Sequence, residues 1–273
     1  MTKSEDGGKI TWVASYPKSG NTWVRLFYCA YKTGSLDINR VSGSYGDQQG
    51  FLHQQAMYRP LKECSAYELL CARQVALPAM IASMFRHDPF LVKTHFANVF
   101  LDNLPTIPKP LTRAAVYMIR DPRDIVASYA RHMGTEADEA VDALAYAKNV
   151  IEDKNGLSHF LSTWSNHVKS WTREKEFPVY LLRYEDLIAD PVGKFRGLLE
   201  RIDPEPVDED RLIKAVDLVS FNRLRRQEEQ GGFVERPEGM DQFFHGGNNR
   251  DTLTPGQIAT IEAEHAEVMS EFG

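Results

Sequence analysis

An apolar run at residues 10–16 leads straight into Pro17-Lys18-Ser19-Gly20-Asn21-Thr22, after which Trp23, Leu26, Phe27, Ala30 and Tyr31 recur at helical spacing. A strand, a glycine-bearing turn and an amphipathic helix in that order describe a buried strand that delivers an anion-binding turn to a helix N-terminus. The turn departs from the Walker pattern G-x-x-x-x-G-K-[ST]. Ser15 stands at the first glycine, Gly20 and Thr22 keep their places, Asn21 replaces the lysine, and a lysine reappears at Lys18 inside the turn. Backbone N–H groups and the positive end of the helix still suit an oxyanion, while the mobile charge meets a different part of it. The pattern predicts a phosphate-like ligand other than an ordinary nucleoside triphosphate.

Strand and helix signals continue to alternate along the chain. Apolar runs at 90–92, 114–119 and 178–183 predict three more strands, and alternation of this kind predicts an α/β, P-loop-like three-layer fold with a central parallel sheet flanked by helices. Leu157, Leu161, Trp164, Val168 and Trp171 predict one face of a long helix. Residues 33–55 and 227–251 are rich in glycine and polar residues and read as surface loops, and a last helix is expected over about 255–272 with Thr254 as its N-cap. Without a linker or repeat to divide it, the chain of 273 residues reads as a flexible N-terminus at 1–9 and a single domain at 10–273, with mobile loops near 33–89 and 227–251.

Composition narrows the partners. A net charge of −6 argues against nucleic acid, whose binders carry a strongly basic face. Cys29, Cys64 and Cys71 form no C-x-x-C pair, so a reduced cytoplasmic protein without a metal site is expected. No apolar run reaches membrane-spanning length, and residues 1–9 hold no apolar signal core.

Ligands collect at the C-terminal ends of parallel strands. Lys18 follows the first predicted strand, Lys93 and His95 the second, and Arg120 the third. Core packing does not require four cationic or titratable groups at one sheet edge.

The segment from Tyr16 to Trp23 resembles the 5′-phosphosulfate loop, Y-P-K-[SA]-G-[TN]-T-W, of sulfotransferases that use 3′-phosphoadenosine 5′-phosphosulfate (PAPS). Lys93-Thr94-His95, Arg120-Asp121-Pro122-Arg123-Asp124 with Ser128, and Arg183-Tyr184-Glu185-Asp186-Leu187 follow in that family's order, over residues 12–191. In length and wording the chain is more similar to bacterial members acting on small molecules or natural products than to membrane-anchored carbohydrate enzymes.

The resemblance implies PAPS as donor, adenosine 3′,5′-bisphosphate (PAP) as product, no metal, and a small-molecule alcohol or phenol as acceptor. It implies His95 as general base and Lys18 and Lys93 as stabilisers of developing charge. It further implies Ser19, Gly20, Asn21 and Thr22 around the 5′-phosphate, and Arg120 and Ser128 on the 3′-phosphate. Trp23, Tyr184 and Phe221 fall on the adenine side. Each has an ordinary reading beside it: a solvated lysine at Lys18, a core tryptophan at Trp23, a polar filler at Ser128, core anchors at Tyr184 and Phe221.

The pattern departs near the C-terminus. Where many members carry R-K-G-x-x-G-D-W, this chain reads Phe244-His245-Gly246-Gly247-Asn248-Asn249-Arg250-Asp251. Gly247 is left to present its N–H, and Arg250 either supplies the missing charge or is a solvated loop residue. A small-molecule kinase and a non-catalytic nucleotide-binding protein remain as alternatives, and so do monomer and homodimer.

Overall fold

The computed structural model describes residues 10–40, 52, 59–83, 90–152, 157–244 and 249–272. Strand β1 (Ile10–Ser15) is buried along its whole length, which places it inside the sheet. It pairs in parallel with β2 (Phe90–Thr94) on one side and β5 (Thr112–Ile119) on the other, and β8 (Val179–Arg183) adds to β5, giving the order β2-β1-β5-β8. Two antiparallel hairpins flank this sheet, β3 (Phe100–Leu101) with β4 (Leu104–Pro105) and β6 (Val150–Glu152) with β7 (Ser158–Phe160).

Because strand side chains alternate, each buried strand feeds two cores. Ile10, Trp12, Ala14, Ala115, Tyr117 and Ile119 face one cluster, while Val13, Val116 and Met118 face the other. Helices α1 (Asn21–Thr33), α7 (Pro191–Ile202) and α8 (Glu209–Leu218) cover the second face with Phe27, Phe195 and Leu212. The first face is covered by α2 (Ala66–Ser83), α3 (Pro122–Met133), α4 (Ala137–Ala145), α5 (Trp164–Thr172) and α10 (Pro255–Phe272). The short α6 (Tyr184–Ala189) and α9 (Phe221–Gly231) complete the set used below. The expected three layers are present.

The helix boundaries have local causes. Asp121 caps α3 by accepting from the Arg123 N–H at 2.9 Å, with Pro122 fitted to the first turn. Thr254 does the same for α10, accepting from the Gln257 N–H at 3.3 Å.

Two expectations are corrected. The helix read through Leu157 to Trp171 begins only at Trp164: residues 158–160 form β7, Ser162 takes a left-handed φ of 61°, and Thr163 caps α5 by accepting from the Asn166 N–H. The early leucines, Leu157 and Leu161, are buried just before and just after β7 rather than on a helix face, so spacing alone misled. The region 33–89, read as loop, contains the 18-residue α2. Its apolar residues run around the helix rather than along one stripe, and Pro78 lies inside it, which hides it from a periodicity search. Among the described residues, no helix is long and apolar enough to cross a membrane.

Candidate functional site

The turn after β1 is held in an unusual backbone path. Lys18 adopts a φ of 69° and Gly20 a φ of 100°, two left-handed residues in one short turn. Gly20 has no room for a side chain: a Cβ there would lie 2.9 Å from Tyr184 Cδ2 and 3.0 Å from Met118 Cε. Gly20→Ala is therefore expected to cost about 2 kcal/mol through the backbone conformation alone, and to displace Tyr184. Calorimetric melting should show a transition several degrees lower, about 2–4 °C per kcal/mol for a chain of this size. An unchanged melting temperature would show that the turn relaxes freely.

Side chains around the turn divide between structure and ligand. Asn21 Nδ2 donates to the Val13 carbonyl at 2.8 Å and its Oδ1 accepts from Arg25 Nε at 3.0 Å, so this side chain ties α1 to β1 rather than facing a ligand. Ser19 is wholly buried and its Oγ has no partner. Thr22 Oγ1 donates to the Glu235 carboxylate at 3.3 Å, and the buried Arg25 guanidinium meets the same carboxylate at 2.8 Å. The mouth of α1 thus already attracts a carboxylate, as the positive end of a helix should.

Cations dominate the space in front. Lys18 Nζ lies 3.5 Å from His132 Nδ1 and 4.3 Å above the Phe243 ring centroid. Burial, reinforced by the charges of Arg120, Arg131 and Lys93 and opposed by Glu235, brings the Lys18 pKa down to about 7. Arg120, at the end of β5, donates from Nη1 to the Lys18 carbonyl at 3.1 Å, and its guanidinium lies 4.2 Å from the Tyr184 ring centroid. Its Nε is buried without a hydrogen-bond partner. Among the described residues no carboxylate forms an ion pair with Lys18 or Arg120. A cradle with an orphaned hydroxyl, an orphaned guanidinium N–H and an unpaired ammonium is built for an anion that brings several oxygens.

His95 stands just past β2, beside this cradle. Its Nδ1 lies 2.9 Å from the Ser15 carbonyl and 3.3 Å from Ser15 Oγ. A carbonyl only accepts, so Nδ1 carries the proton and Nε2 keeps its lone pair. Burial, followed by the charges of Lys93 and His159, holds the His95 pKa well below the usual imidazole value, so the ring is neutral at physiological pH. The backbone of this segment is fixed from α5: His167 donates from Nε2 to the His95 carbonyl at 3.1 Å while accepting from Tyr117 Oη at 2.8 Å, and Trp171 Nε1 donates to the Phe96 carbonyl at 3.0 Å. Lys93, half-buried on β2, adds its charge to both Lys18 and His95.

On the far side of Arg120, Trp23 donates from Nε1 to the Val219 carbonyl at 3.1 Å and meets Tyr184 edge-on at 6.0 Å between centroids. Phe221 opens α9 two residues beyond Val219 and is 39% exposed, so its ring is available to a ligand. Ser128 is half-buried on α3. Arg250 differs from the charge-donor reading: its guanidinium pairs with Asp124 at 2.6 Å and Asp121 at 3.3 Å, so two carboxylates compete for it. Gly247, with His245 and Gly246, lies outside the described residues.

Sequence reasoning missed Ser15 as the support of His95, and Glu235, His132 and Phe243 as neighbours of the cradle. Glu235 is 213 residues from Thr22, and no local signal links them. Ser15 was in view as a replaced glycine, and its place at the end of β1 beside β2 was the available clue. No cluster of three or more His, Cys, Asp or Glu among the described residues is placed to hold a metal.

Comparison with known proteins agrees on one family. A model described as a sulfotransferase domain matches residues 9–273. Flavonol 3-sulfotransferase of Flaveria bidentis is 23% identical over 232 residues, 83% of this chain and 68% of that protein. Cytosolic sulfotransferase 10 of Arabidopsis thaliana is 27% identical over 265 residues, 92% and 75% of the two chains. Among solved structures, a retinol dehydratase in complex with androsterone and PAP superposes with a TM-score of 0.63 at 18% identity, covering 95% of this chain and 80% of that one. A mouse sulfotransferase complexed with PAP gives 0.59 at 15% identity, covering 98% and 85%. At these identities the structural likeness speaks for the fold.

Proposed function

We propose that this chain, which belongs to the sulfotransferase domain family, transfers the sulfuryl group of PAPS to a hydroxyl of a small-molecule acceptor, with His95 as general base. Membership makes it a PAPS-dependent sulfotransferase; the base and the acceptor class are the added reading. The observation that carries it is the placement of Lys18 and His95 just past the ends of the adjacent parallel strands β1 and β2, each within reach of the Lys93 charge, with no carboxylate paired to Lys18 among the described residues. The named relatives support the acceptor class, since flavonol, androsterone and retinol all carry hydroxyl groups on small apolar frames. A cytoplasmic location follows the cytosolic relatives.

PAPS supplies an activated sulfuryl group: its S–O bond to the 5′-phosphate breaks as the acceptor oxygen bonds to sulfur, and PAP leaves. His95 Nε2 receives the acceptor's hydroxyl proton, while Ser15 keeps the ring aimed through Nδ1. Lys18 stabilises the negative charge that grows on the bridging oxygen, and Lys93 the sulfuryl oxygens. Ser19, Thr22 and the N–H groups at the start of α1 hold the 5′-phosphate, with Thr22 exchanging the Glu235 carboxylate for a phosphate oxygen. Arg120 and Ser128 hold the 3′-phosphate, and Trp23, Tyr184 and Phe221 take the adenine. A sulfuryl group carries less charge than a phosphoryl group, so the chain's own cations suffice where kinases need Mg²⁺.

A melting experiment separates this reading from that of a kinase. PAP in EDTA at about a hundred times its Kd should stabilise the fold by about 2.7 kcal/mol, whereas ATP with Mg²⁺ at the same concentration should do far less. Stabilisation by ATP with Mg²⁺ and none by PAP would overturn the reading.

A further inference from the structure

Arg73, on α2, is 1% exposed, and its Nε, Nη1 and Nη2 all lack a hydrogen-bond partner. No carboxylate pairs with it among the described residues; its guanidinium rests on the rings of Phe96, at 4.6 Å, and Trp12, at 5.2 Å. Aromatic faces attract a guanidinium but accept none of its five N–H bonds. A buried cation left in this state costs several kcal/mol, and folding alone gives no reason to keep it.

Its position supplies a reason. Phe96 follows the proposed base His95 directly in sequence. Between His95 and Phe96 sits His159 of β7, 2% exposed, its ring centroid 5.9 Å from that of His95 and 4.9 Å from that of Phe96. His159 Nδ1 is also buried without a partner. The charge of Arg73 reaches His159, helping burial and Lys93 to lower its pKa to about 3, so His159 is neutral. A charged fork and a neutral imidazole, both more than nine-tenths buried and both unsatisfied, therefore lie beside the base, His159 in direct ring contact with His95 and Arg73 one ring further out on Phe96. The rings of Phe96 and His159 form an apolar and aromatic path between them.

We propose that Arg73 and His159 form an anion-recognising end of the acceptor site, so that the preferred acceptor is a hydroxy acid whose carboxylate pairs with the Arg73 fork while its hydroxyl meets His95. This deepens the function proposed above and rests on His95 marking the acceptor side. A carboxylate matches guanidinium geometry with two parallel hydrogen bonds, and His159 Nδ1 completes the oxygen's shell as a donor in the appropriate tautomer. Binding such an acceptor restores to Arg73 the partner that the ligand-free fold withholds. A neutral analogue of the same shape leaves the guanidinium unpaired, so the discrimination is large.

The test uses the full chain saturated with PAP, and as probes 3-(4-hydroxyphenyl)propionate and its methyl ester, each titrated by thermal shift and calorimetry. The acid is expected to bind at least about tenfold more tightly than the ester, the value of one charge-assisted hydrogen-bonded contact. In Arg73→Met this preference should vanish, and the ligand-free variant should melt higher than wild type because the unpaired buried charge is gone. Arg73→Lys keeps the charge without the fork and should retain part of the preference, which guards against a Met variant that fails to fold. Equal binding of acid and ester by the wild-type chain, including no binding of either, overturns the proposal, as does an acid preference that survives in Arg73→Met. Sulfation of 4-nitrophenol, which carries no carboxylate, reports on His95 separately: its retention alongside a missing acid preference would remove the anion subsite and leave the base intact.

Discussion

His95→Ala is expected to lower kcat by about 10²–10⁴-fold, the usual contribution of a positioned general base, while changing PAP affinity less than twofold. The two effects separate because of how the ring is held. Nδ1 is engaged by Ser15, and the proposed mechanism uses Nε2 for the acceptor hydroxyl, so neither nitrogen is assigned to the nucleotide grip. The ring's pKa is held low by burial in the ligand-free chain; the several negative charges brought by the donor act in the opposite direction and raise its basicity when proton transfer is needed. Steady-state kinetics with a phenolic acceptor, paired with calorimetry for PAP, reads both quantities. A His95→Ala enzyme with wild-type kcat would remove the base assignment.

Lys18→Met should lower kcat by about 10²–10³-fold, comparable to the loss of one preorganised donor to a developing oxyanion. In the proposed mechanism Lys18, unlike His95, also pairs with the ground-state phosphate, so PAP affinity should fall as well. The substitution is close in volume, and the Lys18 side chain already lies over the Phe243 ring, where a methionine packs comfortably. Folding should therefore survive, and removing a depressed-pKa ammonium should if anything raise ligand-free stability at neutral pH and below, where the wild-type group must be charged while buried. A Lys18→Met enzyme that turns over normally would show that the relocated charge plays no part in breaking the S–O bond.

Much of this site was legible because its chemistry is local. A strand that ends at Ser15, a turn with Gly20, and a helix starting at Asn21 are all written in adjacent residues, and the structure reproduces them almost to the residue. Lys93, His95 and Arg120 were likewise read from the C-terminal ends of apolar strands, where the structure places them. What escaped was contact between distant segments. Glu235 and Phe243 reach the turn from a region that reads only as polar loop, and nothing near them names Thr22 or Lys18 as partner. Arg250 illustrates the complementary case: its charge is visible in the sequence, but its pairing with Asp121 and Asp124 is a property of packing against α3. Asn21 was counted toward the ligand through its backbone N–H, and nothing in the sequence signalled that its side-chain amide holds the Val13 carbonyl. Arg73 was invisible for a different reason: a lone arginine within an apolar stretch signals nothing until its burial and its missing partners are known.

The claim beneath all of this is that the ammonium of Lys18 faces the anion held at the mouth of α1. Calorimetric titration of PAP at a series of pH values from 6 to 9 measures it directly. With a ligand-free pKa of about 7, Lys18 is largely neutral above that pH and must take up a proton to pair with the 5′-phosphate. Affinity should therefore weaken as pH rises above 7, approaching tenfold per unit, with proton uptake on binding, and both effects should be absent in Lys18→Met. Affinity that stays flat over this range in the wild-type chain, with no proton uptake, would contradict the account.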